Sequence, residues 1–147
     1  MATIQLMKES ALRHEMIYGA PVLAYAWLIF LFSSIAALPY VPSFFGLDKL
    51  AHFCEYFFFG CLIRRWLLAE KNRHIKHRSF VLTILIGTCY GLSDEWHQSF
   101  VPGRHASLWD VWFDALGVVI AASAYPWIAT KLLAGRNFAE NRKRGRP

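Results

Sequence analysis

Four apolar stretches of about 20 residues each constrain the fold of this chain most strongly. They cover residues 21–38, 50–69, 80–98 and 108–133. Each is close to the roughly 20 residues that an α-helix needs to cross the roughly 30 Å hydrocarbon core of a bilayer. The hydrophobic content of 56% and the aromatic content of 16% are too high for a soluble protein of 147 residues. We therefore predict an all-α membrane protein, a single domain over residues 1–147 in which four transmembrane helices form a compact bundle.

The first stretch is expected to be retained rather than cleaved as a signal peptide. It begins about 20 residues into the chain, and no convincing small-residue cleavage site precedes Pro39. The Pro39-Tyr40-Val41-Pro42 segment that follows predicts a short, extended connection to the second helix.

The distribution of lysine and arginine predicts the orientation in the membrane. Of the 16 Lys and Arg residues, 14 lie before the first stretch, within 64–78, or from residue 131 onward. The other two connections hold only Lys49 and Arg104. By the positive-inside rule, both termini and the middle connection are cytoplasmic, and residues 134–147 form a basic cytoplasmic tail. The net charge of +6 does not indicate a nucleic-acid partner, because a soluble scaffold and a nucleic-acid-binding motif are both missing from the sequence.

Polar side chains interrupt three of the four stretches near their predicted outer ends. By helical spacing they form three stripes, each on one face of its helix. The stripes are Asp48, His52, Glu55 and Tyr56 on the second helix, Asp94, His97 and Gln98 on the third, and Asp110 and Asp114 on the fourth. An ionisable group in a membrane helix is costly unless it faces a cavity or a partner, so the stripes should point toward each other. The sequence therefore predicts a polar chamber that opens on the extracytoplasmic side.

Simpler structural roles compete for individual members of these stripes. Ser107-x-x-Asp110 has the form of a capping box, so Asp110 is explained equally well as a helix cap. Lys49 can snorkel to the membrane interface, and His52 or Glu55 alone can be an interhelical hydrogen-bond partner. The whole cluster is harder to explain this way, because polar contacts that only join membrane helices are usually made by Ser, Thr, Asn or Gln.

An ordered set of motifs crosses the last three helices. It consists of Asp48-Lys49 with His52 and Tyr56, then Asp94-Glu95-x-His97-Gln98, then Val101-Pro102-Gly103-Arg104, and finally Ser107-x-x-Asp110 with Asp114 and Gly117. This set resembles the VanZ-like family of small bacterial membrane proteins. The resemblance implies a helical protein of the bacterial inner (cytoplasmic) membrane. The founding member of that family is associated with resistance to the glycopeptide teicoplanin, which points to the cell envelope without defining an activity. The first helix and the basic tail carry none of these motifs.

Our leading hypothesis is that the chamber binds, or binds and modifies, an anionic lipid or a lipid-linked cell-envelope precursor. The planar Arg104 guanidinium can make two parallel hydrogen bonds to a phosphate or carboxylate, and Lys49 would assist. His52 and His97 are candidates for the general acid and base, because imidazole titrates near physiological pH.

The carboxylates of the chamber would orient these imidazoles or bind a divalent cation. Asp94 and Glu95 are the first candidates for either role, and Asp110 and Asp114 could complete an oxygen and nitrogen ligand set. The predicted catalytic residues are thus His52, Asp94, Glu95, His97 and Asp110, and the predicted substrate-binding residues are Asp48, Lys49, Glu55, Tyr56, Gln98, Arg104 and Asp114.

Other functions stay open on the sequence alone. A chamber without catalysis could sequester an antibiotic or a precursor, with its acidic groups attracting the amine of a glycopeptide, or it could dock a membrane partner. Transport is disfavoured, because the polar stripes stay in the outer half and none continues to the cytoplasmic side. Gly87 and Gly91 are a candidate close-packing face, either within one chain or in a homodimer. Cys54, Cys61 and Cys89 lack the spacing of a metal site and are predicted to be small buried hydrophobes.

Overall fold

The computed structural model describes residues 2–36 and 46–143, and every regular element in these two ranges is a helix. The first helical unit consists of α1 (Ala2–His14), a π-helical segment (Glu15–Gly19) and α2 (Ala20–Ser33). Three further helices follow, α3 (Leu47–Ala69), α4 (Arg73–Gln98) and α5 (Leu108–Lys143). The described part of the chain is therefore all-α, as predicted, with four helical units and no strand.

The local sequence accounts for several boundaries of these helices. Pro21, at the start of α2, has no backbone N–H, so a carbonyl in the preceding turn lacks its usual hydrogen-bond donor. The π-helical segment lies directly before α2, in that turn. α4 begins after Asn72, whose side chain accepts the backbone N–H of His74 at 2.9 Å. Beyond α4, Gly103 adopts a φ of 78°, which favours glycine and turns the chain toward α5.

The closest helix packing in the bundle joins α3 to α5. A Cβ atom on Gly117 would overlap the carbonyl oxygen of Phe53 and would lie 2.9 Å from the amide nitrogen of Phe57. Farther along the same interface, a Cβ on Gly60 would meet the Cβ of Ala121 at 2.8 Å. Small residues therefore let the two backbones touch, and this contact fixes how α3 and α5 are aligned.

Gly87 and Gly91 on α4 face other helices of the same chain. A Cβ on Gly87 would lie 2.6 Å from Cγ2 of Val118, and a Cβ on Gly91 would lie 3.0 Å from Oδ2 of Asp114 and 3.2 Å from Cε1 of Tyr56. Of the two placements left open by the sequence, the structure uses this face within one chain.

Polar and apolar side chains are distributed as expected for a protein surrounded by lipid. Large apolar side chains such as Trp27, Phe58 and Trp112 are more than half exposed, whereas several carboxylates are buried. By length and composition, two helical stretches among the described residues are able to cross a membrane, Lys8–Ser33 and Leu108–Ala134. α3 and α4 are the other two of the four predicted spans. They carry most of the ionisable residues that are buried in the bundle.

The structure corrects the predicted bounds of three helices. The first helical unit runs from Ala2 to Ser33 rather than from 21 to 38, and the predicted connection over 39–42 lies outside the described residues. α4 starts at Arg73 rather than at 80, and α5 continues to Lys143, well beyond 133. Most of the predicted basic tail is therefore helical. These errors share one cause, because a search for apolar stretches misses polar turns at the ends of membrane helices.

The cysteines also differ from their predicted environment. Cys54 and Cys89 are exposed, and Cys61 is half-buried. In a bundle with an apolar outer surface, an apolar segment does not imply a buried position. The prediction that all three are buried was therefore wrong.

Candidate functional site

His52 of α3 and Asp114 of α5 form a buried hydrogen-bonded pair near one end of the bundle. His52 Nδ1 lies 3.0 Å from Asp114 Oδ1, and the two residues are 8% and 0% exposed. Each lies close in sequence to the backbone contact between Phe53 and Gly117, so the α3–α5 packing positions the pair. Asp114 Oδ2 has no hydrogen-bond partner among the described residues, although it is buried.

Glu95 brings α4 into the same cluster. The residue is 3% exposed, and its Oε1 lies 4.0 Å from His52 Nδ1 without a hydrogen-bond partner in the described chain. Its Oε2 accepts the backbone N–H of Ser107 at 2.8 Å. In a capping box, the Asp110 carboxylate would accept this N–H. Glu95 takes that place, which argues against the interpretation of Asp110 as a cap.

We call His52, Glu95 and Asp114 the buried triad. One nitrogen or oxygen atom from each residue lies within 4.8 Å of the other two, which is close enough for all three to bind one metal ion. The members come from three helices, so the triad exists only when α3, α4 and α5 are packed together.

An ion-pair network joins the beginnings of α3 and α5 beside the triad. Lys49 Nζ contacts Asp110 Oδ1 and lies 3.0 Å from Asp48 Oδ2. Asp110 is buried and Asp48 is half exposed, so the network reaches from the bundle interior to its surface. Lys49 is thus paired within the protein rather than snorkelling away from it.

A cavity of about 330 Å³ lies beside the triad, lined by both acidic and basic groups. Its wall is formed by Phe32 and Ser33 of α2, Asp48, Ala51, His52 and Glu55 of α3, Asp94 and Gln98 of α4, and Arg104 of the following loop. Gln98 Nε2 donates a hydrogen bond to Asp94 Oδ2 at 2.9 Å, which orients that carboxylate. The wall therefore carries three carboxylates, one imidazole and one guanidinium.

Arg104 is held against the end of α2 by two backbone carbonyls. Its Nε donates to the Ile35 oxygen at 3.1 Å, and its Nη2 donates to the Phe32 oxygen at 3.0 Å. Arginine has five N–H groups, so two fix its orientation and the other three make no hydrogen bond to the described residues. The guanidinium is therefore oriented by α2 and still has donors available at the cavity wall.

Two predicted site residues, His97 and Tyr56, belong neither to the cavity wall nor to the triad or the ion-pair network. The His97 ring packs against Phe30 with the ring centroids 4.5 Å apart, and its Nε2 lies 3.0 Å from Ser34 Oγ. His97 therefore faces α2, whereas His52 faces α5. Tyr56 of α3 is fully buried with its ring against Gly91 and Tyr90 of α4, and its hydroxyl has no hydrogen-bond partner in the described chain.

Sequence reasoning missed the contribution of α2 to this site. Phe32 and Ser33 line the cavity, and the carbonyls of Phe32 and Ile35 hold Arg104. Backbone carbonyls leave no signal in a sequence, and the only sequence feature at this end of α2 is the pair Ser33-Ser34 in an apolar helix. The backbone N–H of Ser107 was missed for the same reason.

Comparison with known proteins supports the resemblance drawn from the motifs. A family model described as VanZ/LLP1 matches residues 4–129, a range that includes the buried triad and every residue lining the cavity. No curated protein and no solved structure is significantly similar to the chain.

Proposed function

We propose that this chain, which belongs to the VanZ/LLP1 family, binds the anionic headgroup of a lipid or of a lipid-linked cell-envelope precursor in its polar cavity. The observation that carries this proposal is Arg104, a cation fixed by α2 at the wall of a cavity in a lipid-facing bundle, with three N–H groups that no described residue accepts. Such a group suits phosphate, because several N–H donors can meet several oxygens at once.

The charge distribution supports a position of the cavity on the outer side of the bacterial cytoplasmic membrane. The cavity lies where α2 and α4 end and where α3 and α5 begin, and Lys49 and Arg104 are the cations at that end. Among the described residues, the other Lys and Arg lie in α1, at the end of α3, in the connection to α4, at the start of α4 and in α5 from Lys131 onward. By the positive-inside rule, we propose a multi-pass protein with both termini in the cytoplasm.

Exposed aromatic residues around the cavity end support a ligand that is itself anchored in lipid. Trp96, Phe100 and Trp109 are 68–70% exposed and lie at the end of α4, in the following turn and at the start of α5. Aromatic side chains are favoured at the membrane–water interface. A lipid-linked ligand would keep its chains in the bilayer beside these residues and place its headgroup in the cavity.

A second candidate is a cationic ligand such as the amine of a glycopeptide. The specific observation in its favour is the set of three carboxylates in the wall, of which Glu55 makes no hydrogen bond or ion pair with the described residues. Binding of this kind would sequester the antibiotic and would agree with the resistance associated with the founding member of the family.

Mass spectrometry of the lipids that co-purify with the protein in mild detergent distinguishes an anionic headgroup from a cationic ligand. We expect a phosphate-bearing lipid to co-purify with the wild-type protein. In Arg104→Gln the amount of that lipid should fall about tenfold or more, because charge-assisted hydrogen bonds to the phosphate are lost. The matched control is Arg13→Gln, an exposed arginine on the first helical unit, which should retain the lipid. Thermal melting of both variants checks that the bundle is intact.

Equal retention of that lipid by folded Arg104→Gln would contradict the proposal. A ligand that carries an amine but no phosphate, and that is lost in Asp94→Asn instead, would support the second candidate. Incubation of the purified protein with total envelope lipid tests for catalysis, because turnover would change the mass of a lipid species.

A further inference from the structure

We propose that the buried triad is a binding site for a divalent transition-metal ion, with His52 Nδ1 and one carboxylate oxygen each from Glu95 and Asp114 as its protein ligands. This site lies beside the cavity, and it does not depend on which ligand the cavity accepts. The sequence offered four carboxylates for a cation, Asp94, Glu95, Asp110 and Asp114. The structure brings Glu95 and Asp114 together with His52, whereas Asp94 pairs with Gln98 and Asp110 with Lys49.

The first argument is the distance between the ligand atoms. His52 Nδ1 lies 3.0 Å from Asp114 Oδ1 and 4.0 Å from Glu95 Oε1. Two ligand atoms about 2.0–2.2 Å from one tetrahedral ion are separated by roughly 3.3–3.6 Å, so the observed distances fall on either side of that value. An ion bound here would replace the proton between His52 Nδ1 and Asp114 Oδ1, which is released on binding, and small rotations of the side chains would bring all three atoms to it.

The second argument is that buried oxygen atoms in this cluster have no donors. Glu95 Oε1 and Asp114 Oδ2 are both buried and make no hydrogen bond in the described chain. A buried polar atom without a partner is destabilising, and native proteins rarely leave one. A cation in the triad would give Glu95 Oε1 the partner that the described residues do not supply. Asp114 Oδ2 would gain a partner as well if Asp114 bound the ion through both of its oxygens.

The third argument is that one oxygen of Glu95 is already fixed. The Ser107 N–H holds Oε2 at 2.8 Å, so that Oε1 is directed toward His52. Ligating carboxylates are commonly oriented by an outer hydrogen bond of this kind, which raises metal affinity by positioning the ligand in advance.

The fourth argument is the charge of the surroundings. Six carboxylates gather at this end of the bundle, namely Asp48, Glu55, Asp94, Glu95, Asp110 and Asp114, and the permanent cations there are Lys49 and Arg104. Buried like charges repel strongly where the dielectric constant is low. A divalent ion in the triad would offset much of this excess at the place where the carboxylates are least exposed.

The ligand types indicate which ions to test. One imidazole and two carboxylates suit Zn²⁺ and Mn²⁺ better than Mg²⁺ or Ca²⁺, which prefer oxygen ligands alone. Three protein ligands leave at least one coordination position free. An oxygen of a phosphate or of water from the adjacent cavity could occupy that position.

The test is metal binding to untagged protein in detergent, after treatment with a chelator. Zn²⁺ and Mn²⁺ are titrated separately by calorimetry, and retained metal is measured by mass spectrometry after desalting. We expect one equivalent of at least one of the two ions per wild-type chain. Asp114→Asn and Glu95→Gln, which keep the side-chain shape, should each weaken that binding at least tenfold.

The matched control is His105→Ala, which removes an exposed histidine of the loop after α4 and should leave binding unchanged. Thermal melting without metal establishes that the variants are folded. The proposal is overturned if neither ion binds the wild type stoichiometrically, or if folded Asp114→Asn and Glu95→Gln bind as tightly as the wild type. Because no lipid enters this experiment, its failure would leave the headgroup proposal intact.

Discussion

Gly117→Ala is expected to lower the free energy of unfolding by about 3 kcal/mol, near the upper end of the cost of overpacking. The added methyl group would overlap the Phe53 carbonyl and would crowd the Phe57 amide nitrogen, both of which are backbone atoms of α3. Backbone atoms cannot rotate away as a side chain can, so the two helices must separate. Unfolding of the purified protein by SDS in mixed micelles measures this loss.

Gly19→Ala is the matched control for Gly117→Ala. Its new Cβ would meet the carboxylate of Glu15, the end of a flexible and largely exposed side chain that can move aside. We expect no significant loss of stability in Gly19→Ala. Equal stability of the Gly117→Ala variant and the wild type would mean that α3 and α5 are not packed backbone to backbone, and the geometry of the triad would lose its basis.

Lys49→Met is expected to lower the free energy of unfolding by about 2–3 kcal/mol, somewhat less than the loss of one partner from a fully buried ion pair. The substitution leaves the Asp110 carboxylate buried without its cation, in a region already rich in carboxylates. The cost is below the fully buried value because the Lys49 side chain is 23% exposed. The same SDS titration measures the effect.

A second substitution separates the ion pair from general packing. In Lys49→Met/Asp110→Asn the unpaired charge is gone, so most of the lost stability should return. Lys71→Met, in the exposed connection between α3 and α4, is the control for removing a lysine and should be neutral. A double variant no more stable than Lys49→Met would show that the Lys49–Asp110 pair is not what stabilises this end of the bundle.

The polar stripes were the part of the site that the sequence could predict. Ionisable residues at helical spacing in apolar segments had to find partners, and His52 and Asp114, from two of the stripes, meet in the structure. The third member of the triad, Glu95, lay outside the stripe predicted for its helix. Lipid is a poor solvent for charge whatever the angle at which the helices cross, so the meeting of these residues follows from their positions in apolar segments.

The direction of individual side chains could not be predicted in the same way. Helical spacing placed His97 on one face with Asp94 and Gln98, yet the structure turns His97 toward Phe30 and Ser34 of α2 and turns Glu95 toward Ser107. α4 contacts α2 as well as α3 and α5, so polar residues on more than one of its faces find partners. A single sequence does not specify which neighbour lies on which side of a helix.

Helix ends were unpredictable for a related reason. Hydropathy detects the part of a helix that lies in hydrocarbon, and the polar turns of α1, of early α4 and of late α5 continue beyond it. These turns are helical because the backbone ladder continues from the apolar segment and, at α4, because Asn72 caps it.

The central claim is that the cavity and the buried triad lie at the extracytoplasmic surface of a membrane-embedded bundle. Labelling of single cysteines with a membrane-impermeant maleimide tests it most directly, in a background where Cys54, Cys61 and Cys89 are replaced by alanine. His105→Cys reports on the loop beside the cavity, and His74→Cys reports on the opposite end of α4; both native side chains are exposed. We predict that intact spheroplasts label His105→Cys at once and label His74→Cys only after permeabilisation. Labelling in the opposite order would place the cavity in the cytoplasm and contradict the account.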